Sequence, residues 1–173
     1  MRVFCLLFFM IFPSYLFASD SCTLSEVGLN EESKQPEKLF YIGTCNYRNQ
    51  KYSESVRLWK QLIELKNIDA EFIELQIDAM NNLGFMLFSG YGVGEDKKLA
   101  IEYWEKAISL GHTESEYHLC HAHADKKVST YNPVKARLHC RKAKLIYQGI
   151  EKKSKDDELV LKQINNHLLN LVE

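Results

Sequence analysis

The chain has 173 residues, of which 46% are apolar, and its 22 basic and 23 acidic side chains give a net charge of −1 at neutral pH. A near-neutral chain lacks the basic excess of nucleic-acid-binding proteins, so we predict no nucleic-acid partner. The length is that of a single domain.

The first residues predict a secretory signal peptide. Arg2 precedes the apolar run from Val3 to Phe12, and the small residue Ala18 ends the segment. The run is shorter than the roughly 20 residues of a membrane-spanning helix. We therefore predict a signal peptide at residues 1–18, cleaved after Ala18, and a periplasmic or secreted protein with no stable membrane anchor. An uncleaved anchor is the alternative.

A polar leader and a helical hairpin are predicted next. Residues 19–35 contain few apolar side chains, whereas helical periodicity begins at Glu37 and resumes at Tyr52 after the polar break at 48–51. Pro36 suits the first turn of a helix, where its missing N–H costs nothing. The pattern indicates two antiparallel helices joined by a tight turn.

The second predicted hairpin contains a glycine-rich loop. A helix from about Ala70 to Phe88 is followed by the loop Gly90 to Gly94 and by a helix from Lys97 to Leu110, with Asp96 as its cap. The loop lacks the Gly-Lys-Ser/Thr sequence of a phosphate site. We therefore interpret its glycines as helix-ending and loop residues.

A third hairpin and a last helix complete the prediction. The hairpin comprises residues 115–127 and 133–148, with Asn132 as cap and Pro133 as first helical residue. The last helix begins at about Asp156 and carries apolar residues on one face. Such a helix can cap the end of a stack of hairpins.

The segment Leu83–Gly111 is repeated in Leu119–Gly149, at an offset of 36 residues as far as Ala107 and Ala143 and of 38 residues at the closing glycines. A repeat of this length is typical of stacked helical hairpins. We therefore predict an all-α fold, a short α-solenoid of three helical hairpins with a C-terminal capping helix. The predicted boundaries are a leader at 19–35, repeats at 36–150 (36–69, 70–111 and 112–150), and a linker with the capping helix at 151–173.

The second hairpin resembles a Sel1-like repeat, the long-loop relative of the tetratricopeptide repeat. The resemblance rests on Asn82-Leu83-Gly84, Gly90-Tyr91-Gly92-Val93, the run from Asp96 to Ala107, and Gly111-His112. The third hairpin resembles it more weakly, with Cys120 in place of the usual Gly, and the first hairpin is similar to an ordinary tetratricopeptide unit. The resemblance implies binding of a protein or peptide, without a cofactor or shared catalytic residues. Exported bacterial members of the family resemble envelope adaptors, secreted effectors and toxin antidotes.

The resemblance also implies which residues form the binding surface, because the first helix of each hairpin lines the concave face in tetratricopeptide-like solenoids. The residues carried over are Phe40, Thr44, Tyr47, Arg48, Asn81, Phe85, Phe88, Tyr117 and His121. Aromatic side chains and Arg dominate binding hot spots. The alternative is that several of these aromatics pack between repeats.

Four cysteines follow the predicted signal peptide, an even number that favours disulfides in an exported chain. Cys120 and Cys140 are equally far from the middle of their turn, which predicts a Cys120–Cys140 disulfide. Cys22–Cys45 follows by elimination. Two alternatives stay open, a reactive thiol and a metal site, although we predict no metal. The candidate ligands are His118, Cys120, His121, His123, His139 and Cys140.

No serine elbow, paired carboxylates or nucleotide loop is found in the sequence, so we predict that the protein is not an enzyme. The predicted function is that of an exported protein-binding module, a periplasmic or secreted adaptor or inhibitor. One alternative is an immunity protein that neutralises a periplasm-acting toxin. Another is an enzyme or metal-binding protein that uses the His/Cys cluster.

Overall fold

A computed structural model describes residues 21–171, which are helical and contain no strand. The predicted signal peptide, 1–18, lies outside the described residues. A 3-10 helix, Ala70–Phe72, precedes the third α-helix. The α-helices are α1 Gln35–Arg48, α2 Tyr52–Glu64, α3 Ile73–Ser89, α4 Lys97–Ser109, α5 Ser115–Ala124, α6 Pro133–Gly149 and α7 Lys155–Asn170. None of these helices is both long and apolar enough to cross a membrane.

The helices pack as three successive hairpins. Helix α1 packs against α2, α3 against α4, and α5 against α6, while α2 also contacts α3 and α4 contacts α5. Helix α7 packs on α6 and α5 at the end of the stack. Within the described residues, this architecture confirms the predicted all-α fold, a short helical solenoid.

Local sequence signals explain where the helices begin. The Asp96 carboxylate accepts a hydrogen bond from the Leu99 N–H (3.0 Å) at the start of α4. Asn132 plays the same part for α6, where Pro133 occupies the first turn. Side-chain oxygens at these positions accept bonds from amides that have no partner inside the helix.

Two predicted boundaries were wrong. Helix α5 ends at Ala124 rather than at residue 127, because Asp125 adopts an extended conformation and its carboxylate accepts a bond from the Lys127 N–H (2.8 Å). Local bonds of this kind compete with the helical ladder. The helix predicted from Ala70 begins instead as the 3-10 turn Ala70–Phe72, and α3 starts at Ile73.

The core is divided between two ends of the solenoid. The larger cluster fills the first two hairpins and includes the fully buried Leu62, Leu83 and Trp104. A second cluster lies beneath α7, where Ile164 is fully buried against residues of α5 and α6. Helix α7 thus supplies the apolar face that the third hairpin needs at its open side.

The glycine-rich loop between α3 and α4 packs against the first hairpin. Gly92 has φ +69°, and a Cβ atom there would lie 2.3 Å from the Tyr52 carbonyl carbon. The loop therefore approaches the first turn of α2 so closely that only glycine fits. Next to it, the Tyr91 ring stacks on Tyr52 with 5.2 Å between centroids.

Candidate interaction groove

Three adjoining cavities follow α1, α3 and α5 along one face of the solenoid. Their volumes are about 480, 430 and 430 Å³. The first and second share Asn81 and Asn82, and the second and third share Phe85 and His118. The cavities are therefore neighbours along this face, and together we call them the concave groove.

All nine residues predicted for the concave face line this groove. Phe40 borders the first cavity, and the third is bordered by Phe88, Tyr117 and His121. The remaining five line the central cavity: Thr44, Tyr47, Arg48, Asn81 and Phe85. The structure thus brings together residues that are up to 81 positions apart in the sequence.

Asn81 is held rigidly at the wall between the first two cavities. Its side chain is 8% exposed, and its Oδ1 accepts a hydrogen bond from the buried Ser115 hydroxyl (2.8 Å). Its backbone oxygen accepts a second bond from Trp104 Nε1 (3.1 Å). With Oδ1 occupied, the amide nitrogen is the group of Asn81 that remains to donate to a ligand.

His118, which the groove prediction did not include, lies where the second and third cavities meet. Its ring stacks on Trp104, with 5.0 Å between centroids and 10° between planes, and lies 6.2 Å from Phe85. Burial, followed by the charges of His112 and His121, lowers the pKa of His118 to about 4. The imidazole is consequently neutral near pH 7 and acts as part of an aromatic wall.

The charges of the groove are unevenly distributed. Asp78 and Glu114 border the first cavity, where the Asp78 carboxylate lies 3.5 Å from His112 Nε2. Burial, acting against His112, raises the pKa of Asp78. The central cavity has Arg48 and no acidic side chain, and the third has Lys97, whose Nζ lies 5.3 Å from the Phe88 ring centroid. Lys97 is itself paired with Glu95, so the groove runs from an acidic first cavity through a basic central cavity to an aromatic third cavity.

Several aromatic side chains that line the groove also pack against the hydrophobic core. The Tyr47 ring lies 5.7 Å from Tyr52 and 6.0 Å from Trp59, and Phe85 also packs against the larger core cluster. Burial is the main cause that raises the pKa of Tyr47. Truncating either side chain would alter both the groove surface and its support.

The cysteines lie at disulfide distance in both predicted pairs. The Sγ atoms of Cys120 and Cys140 are 2.01 Å apart, and those of Cys22 and Cys45 are 2.12 Å apart. The four sulfurs are thus engaged in bonds with each other. A disulfide sulfur is neither a thiolate nucleophile nor a thiolate metal ligand.

The histidines proposed as metal ligands separate into different environments. His121 Nδ1 lies 3.2 Å from His167 Nε2, whereas the His123 ring stacks on His139 with 5.9 Å between centroids. His139 Nδ1 in turn lies 2.6 Å from a carboxylate oxygen of the buried Glu116. Within residues 21–171 no three His, Cys, Asp or Glu side chains are arranged to hold a metal ion.

Three residues that line the groove were absent from the predicted binding surface. Asn82 and Tyr91 belong to the repeat pattern but were not assigned to the surface, although both line the groove. His118 was considered only as a metal ligand. Its position three residues before His121 on α5 was the available signal, because residues i and i+3 of a helix lie on the same face.

Comparison with known protein families identifies one repeat in the chain. Residues 77–112 match the Sel1 repeat family, and this range contains most of α3, the glycine-rich loop and all of α4. No curated protein matches the chain. Sel1 repeats are in general non-enzymatic modules that mediate interactions between proteins. The chain therefore contains a Sel1 repeat near its centre, and packed helices lie on both sides of that repeat.

Proposed function

We propose that this protein is an exported adaptor or inhibitor that binds a segment of another protein in the concave groove. The observation that carries the proposal is that three neighbouring cavities lie along one face across all three hairpins. A groove of this kind suits an elongated segment that crosses several repeats. Rigid aromatic walls and a fixed amide, Asn81, favour binding because little conformational entropy is lost there.

The charge distribution indicates which segment would fit. A basic side chain would be favoured beside Asp78 and Glu114, and an acidic one beside Arg48. Apolar or aromatic side chains would contact Phe85 and the neutral His118. Complementary charges of this type set the direction in which a segment binds more than they raise its affinity.

Export is supported by the cysteines and by the predicted signal peptide. Two disulfide pairs, one closing the third hairpin and one joining the leader to α1, are typical of proteins that fold outside the reducing cytosol. Residues 1–18 carry the sequence pattern of a cleaved signal. We therefore place the interaction in the periplasm or outside the cell.

Site-specific photocrosslinking in the host's own envelope tests the proposal. A photoreactive phenylalanine at position 82 lies in the groove, and the same residue at position 159 provides a matched control on exposed α7. We expect a partner to crosslink at 82 and not at 159. Equal crosslinking at both positions, or at 159 alone, would contradict the groove as the binding site.

The crosslinked partner distinguishes an adaptor from an inhibitor. An inhibitor, such as an immunity protein, would bind one enzyme in a one-to-one complex and suppress its activity. An adaptor would join an assembly without changing the activity of the component it binds. The purified pair, assayed with and without this protein, separates these two forms of the same function.

A further inference from the structure

A second candidate surface lies on α6, away from the groove-lining helices, and it combines exposed apolar side chains with positive charge. Val134, Leu138 and Leu145 are 75%, 52% and 71% exposed. Successive helical residues are separated by about 100°, so these three positions lie within a narrow stripe along the helix. Arg141 falls in the same stripe. We call this stripe with its flanking cations the α6 ridge.

The flanks of the ridge are basic on both sides. Lys135 and Lys142 lie on one side of the stripe by helical spacing, and Arg137 and Lys144 lie on the other. No Asp or Glu occurs between residues 131 and 150. The opposite face of α6 is buried in the protein through Ala136, Cys140, Ala143 and Tyr147.

Only part of this charge is compensated by the rest of the protein. Lys142 Nζ lies 3.0 Å from Glu116, and Lys135 Nζ lies 3.6 Å from Glu105. Arg137 donates to the backbone oxygen of Leu171 (2.6 Å), which is uncharged. Within the described residues, five cations therefore face two nearby carboxylates, and the ridge keeps a net positive charge.

We propose that the α6 ridge binds the surface of an anionic lipid bilayer, with α6 lying parallel to it. An interfacial helix of this type inserts apolar side chains among the acyl chains while Lys and Arg extend towards the headgroups. Across α6, cations flank a stripe of three apolar side chains that also contains Arg141, whose long side chain can extend towards the headgroups. Association is reversible, because three apolar side chains and a few cations give a weak anchor.

Charge and shape favour lipid over the other occupants. A second copy of the chain that docked ridge to ridge would bring ten cations together, which is unfavourable. An acidic partner helix would meet a convex ridge in which Lys residues stand beside the apolar side chains, and Lys is depleted at protein interfaces. A lipid surface adapts to a convex ridge and takes up the flexible Lys side chains.

Vesicle co-sedimentation tests the proposal with two forms of the protein, the full chain and the chain that begins at Ser19. The probes are phosphatidylcholine vesicles with and without about one third phosphatidylglycerol. We expect both forms to bind the anionic vesicles, and the bound fraction of the Ser19 form to fall several-fold when salt rises from about 0.1 to 0.5 M. Binding by the full chain alone would assign it to the N-terminal apolar run and overturn the proposal.

Paired variants assign the binding to α6. L138E/L145E should reduce vesicle affinity at least tenfold, and R141E alone about fivefold or more, since one basic residue near an anionic surface changes affinity by about that factor. The matched control is L159E/L169E on α7, where both leucines are exposed (53% and 68%). This control should bind as the unchanged protein does.

Thermal unfolding of each variant shows whether the fold is retained, and only folded variants are compared. Equal binding by L138E/L145E and the unchanged protein would overturn the proposal. So would the absence of binding to anionic vesicles, which would instead favour an acidic protein partner for the ridge.

Discussion

Gly84 on α3 lies directly against the indole ring of Trp104 on α4, where a Cβ atom would come within 2.6 Å of Nε1. The first hairpin repeats this contact with Gly43 and Trp59, at 2.8 Å. The Cys120–Cys140 disulfide takes the equivalent place in the third hairpin. The two helices of each hairpin therefore meet at an equivalent position. The contact is between a glycine and a tryptophan in the first two hairpins and is a disulfide in the third.

The close contact at Gly84 predicts that even one methyl group is harmful there. We expect G84A to lower the free energy of unfolding by about 1–3 kcal/mol, the usual cost of overpacking, despite the higher helix propensity of Ala. G149A is the control, since a Cβ atom there meets nothing within 4 Å. Urea unfolding should show G149A to be neutral or stabilising. Equal effects of the two substitutions would contradict the packing explanation.

The two tryptophans should respond differently to loss of the indole N–H. Trp104 Nε1 donates to the Asn81 backbone oxygen (3.1 Å), whereas Trp59 Nε1 is buried without a hydrogen-bond partner. The Phe40 oxygen, at the position equivalent to the Asn81 oxygen, accepts instead from the Thr44 hydroxyl (2.9 Å). W104F should therefore destabilise the protein by about 1–2 kcal/mol more than W59F. The free energy of unfolding is measured for both variants. A larger loss in W59F than in W104F would contradict a stabilising role for the hydrogen bond between Trp104 and Asn81.

The repeat pattern was sufficient to predict the helical solenoid because small and apolar positions recur at fixed spacing. Helix starts were accurate where a cap residue was visible, as at Asp96 and Asn132. The end of α5 was predicted wrongly. The Asp125 carboxylate accepts a hydrogen bond from the Lys127 N–H that competes with the helix, and the spacing of apolar residues does not reveal this bond. The docking of Gly92 against Tyr52 depends on contact between two hairpins and was likewise invisible in the sequence.

The buried disulfide of the third hairpin should contribute strongly to stability. Cys120 and Cys140 are fully buried and enclose about 20 residues, for which chain entropy gives roughly 3 kcal/mol. We expect C120A/C140A to lose about this much in urea unfolding. Reducing agent should then have little further effect on the third hairpin. A loss below about 1 kcal/mol would argue against the bond as a main support of the α5–α6 pair.

Arg48 allows the groove to be tested without disturbing the core. Its side chain is exposed, and it lies in the central cavity, which has no acidic residue. R48E should weaken binding of the crosslinked partner by about tenfold or more, because a favourable charge becomes a repulsive one. The stability should change by less than about 0.5 kcal/mol. R57E, at an exposed position of α2 that lines none of the three cavities, is the charge-reversal control; it also removes the Arg57–Glu54 ion pair and should still leave affinity unchanged.

The sequence predicted the groove residues wherever it predicted which face of each first helix is concave. Counting from the small residue of each first helix identified Tyr47, Phe85 and His121. The same count could not reveal that His118 turns inward, because its burial depends on Trp104, which comes from the neighbouring helix α4. Nor does sequence show a charge gradient, which arises only when α1, α3 and α5 are placed side by side.

His118 predicts a loss of stability in acid. Its pKa is lowered to about 4 in the folded protein, below the usual value of 6.5, so the unfolded chain takes up the proton first as pH falls. Stability from this group is therefore complete above pH 6.5 and is lost as pH decreases towards 4. Burial against Trp104 and Phe85 and the charges of His112 and His121 all act in this direction.

Thermal unfolding between pH 4 and 7.5 measures this effect. The loss attributable to His118 should be about 3 kcal/mol, and H118F should remove most of it by replacing the imidazole with a ring that does not titrate. A shallower dependence should remain, because burial also lowers the pKa of His123 and His167. An unchanged pH dependence in H118F would show that the groove imidazole is not what destabilises the protein in acid. Since the same ring separates two cavities, partner binding should weaken over the same pH range.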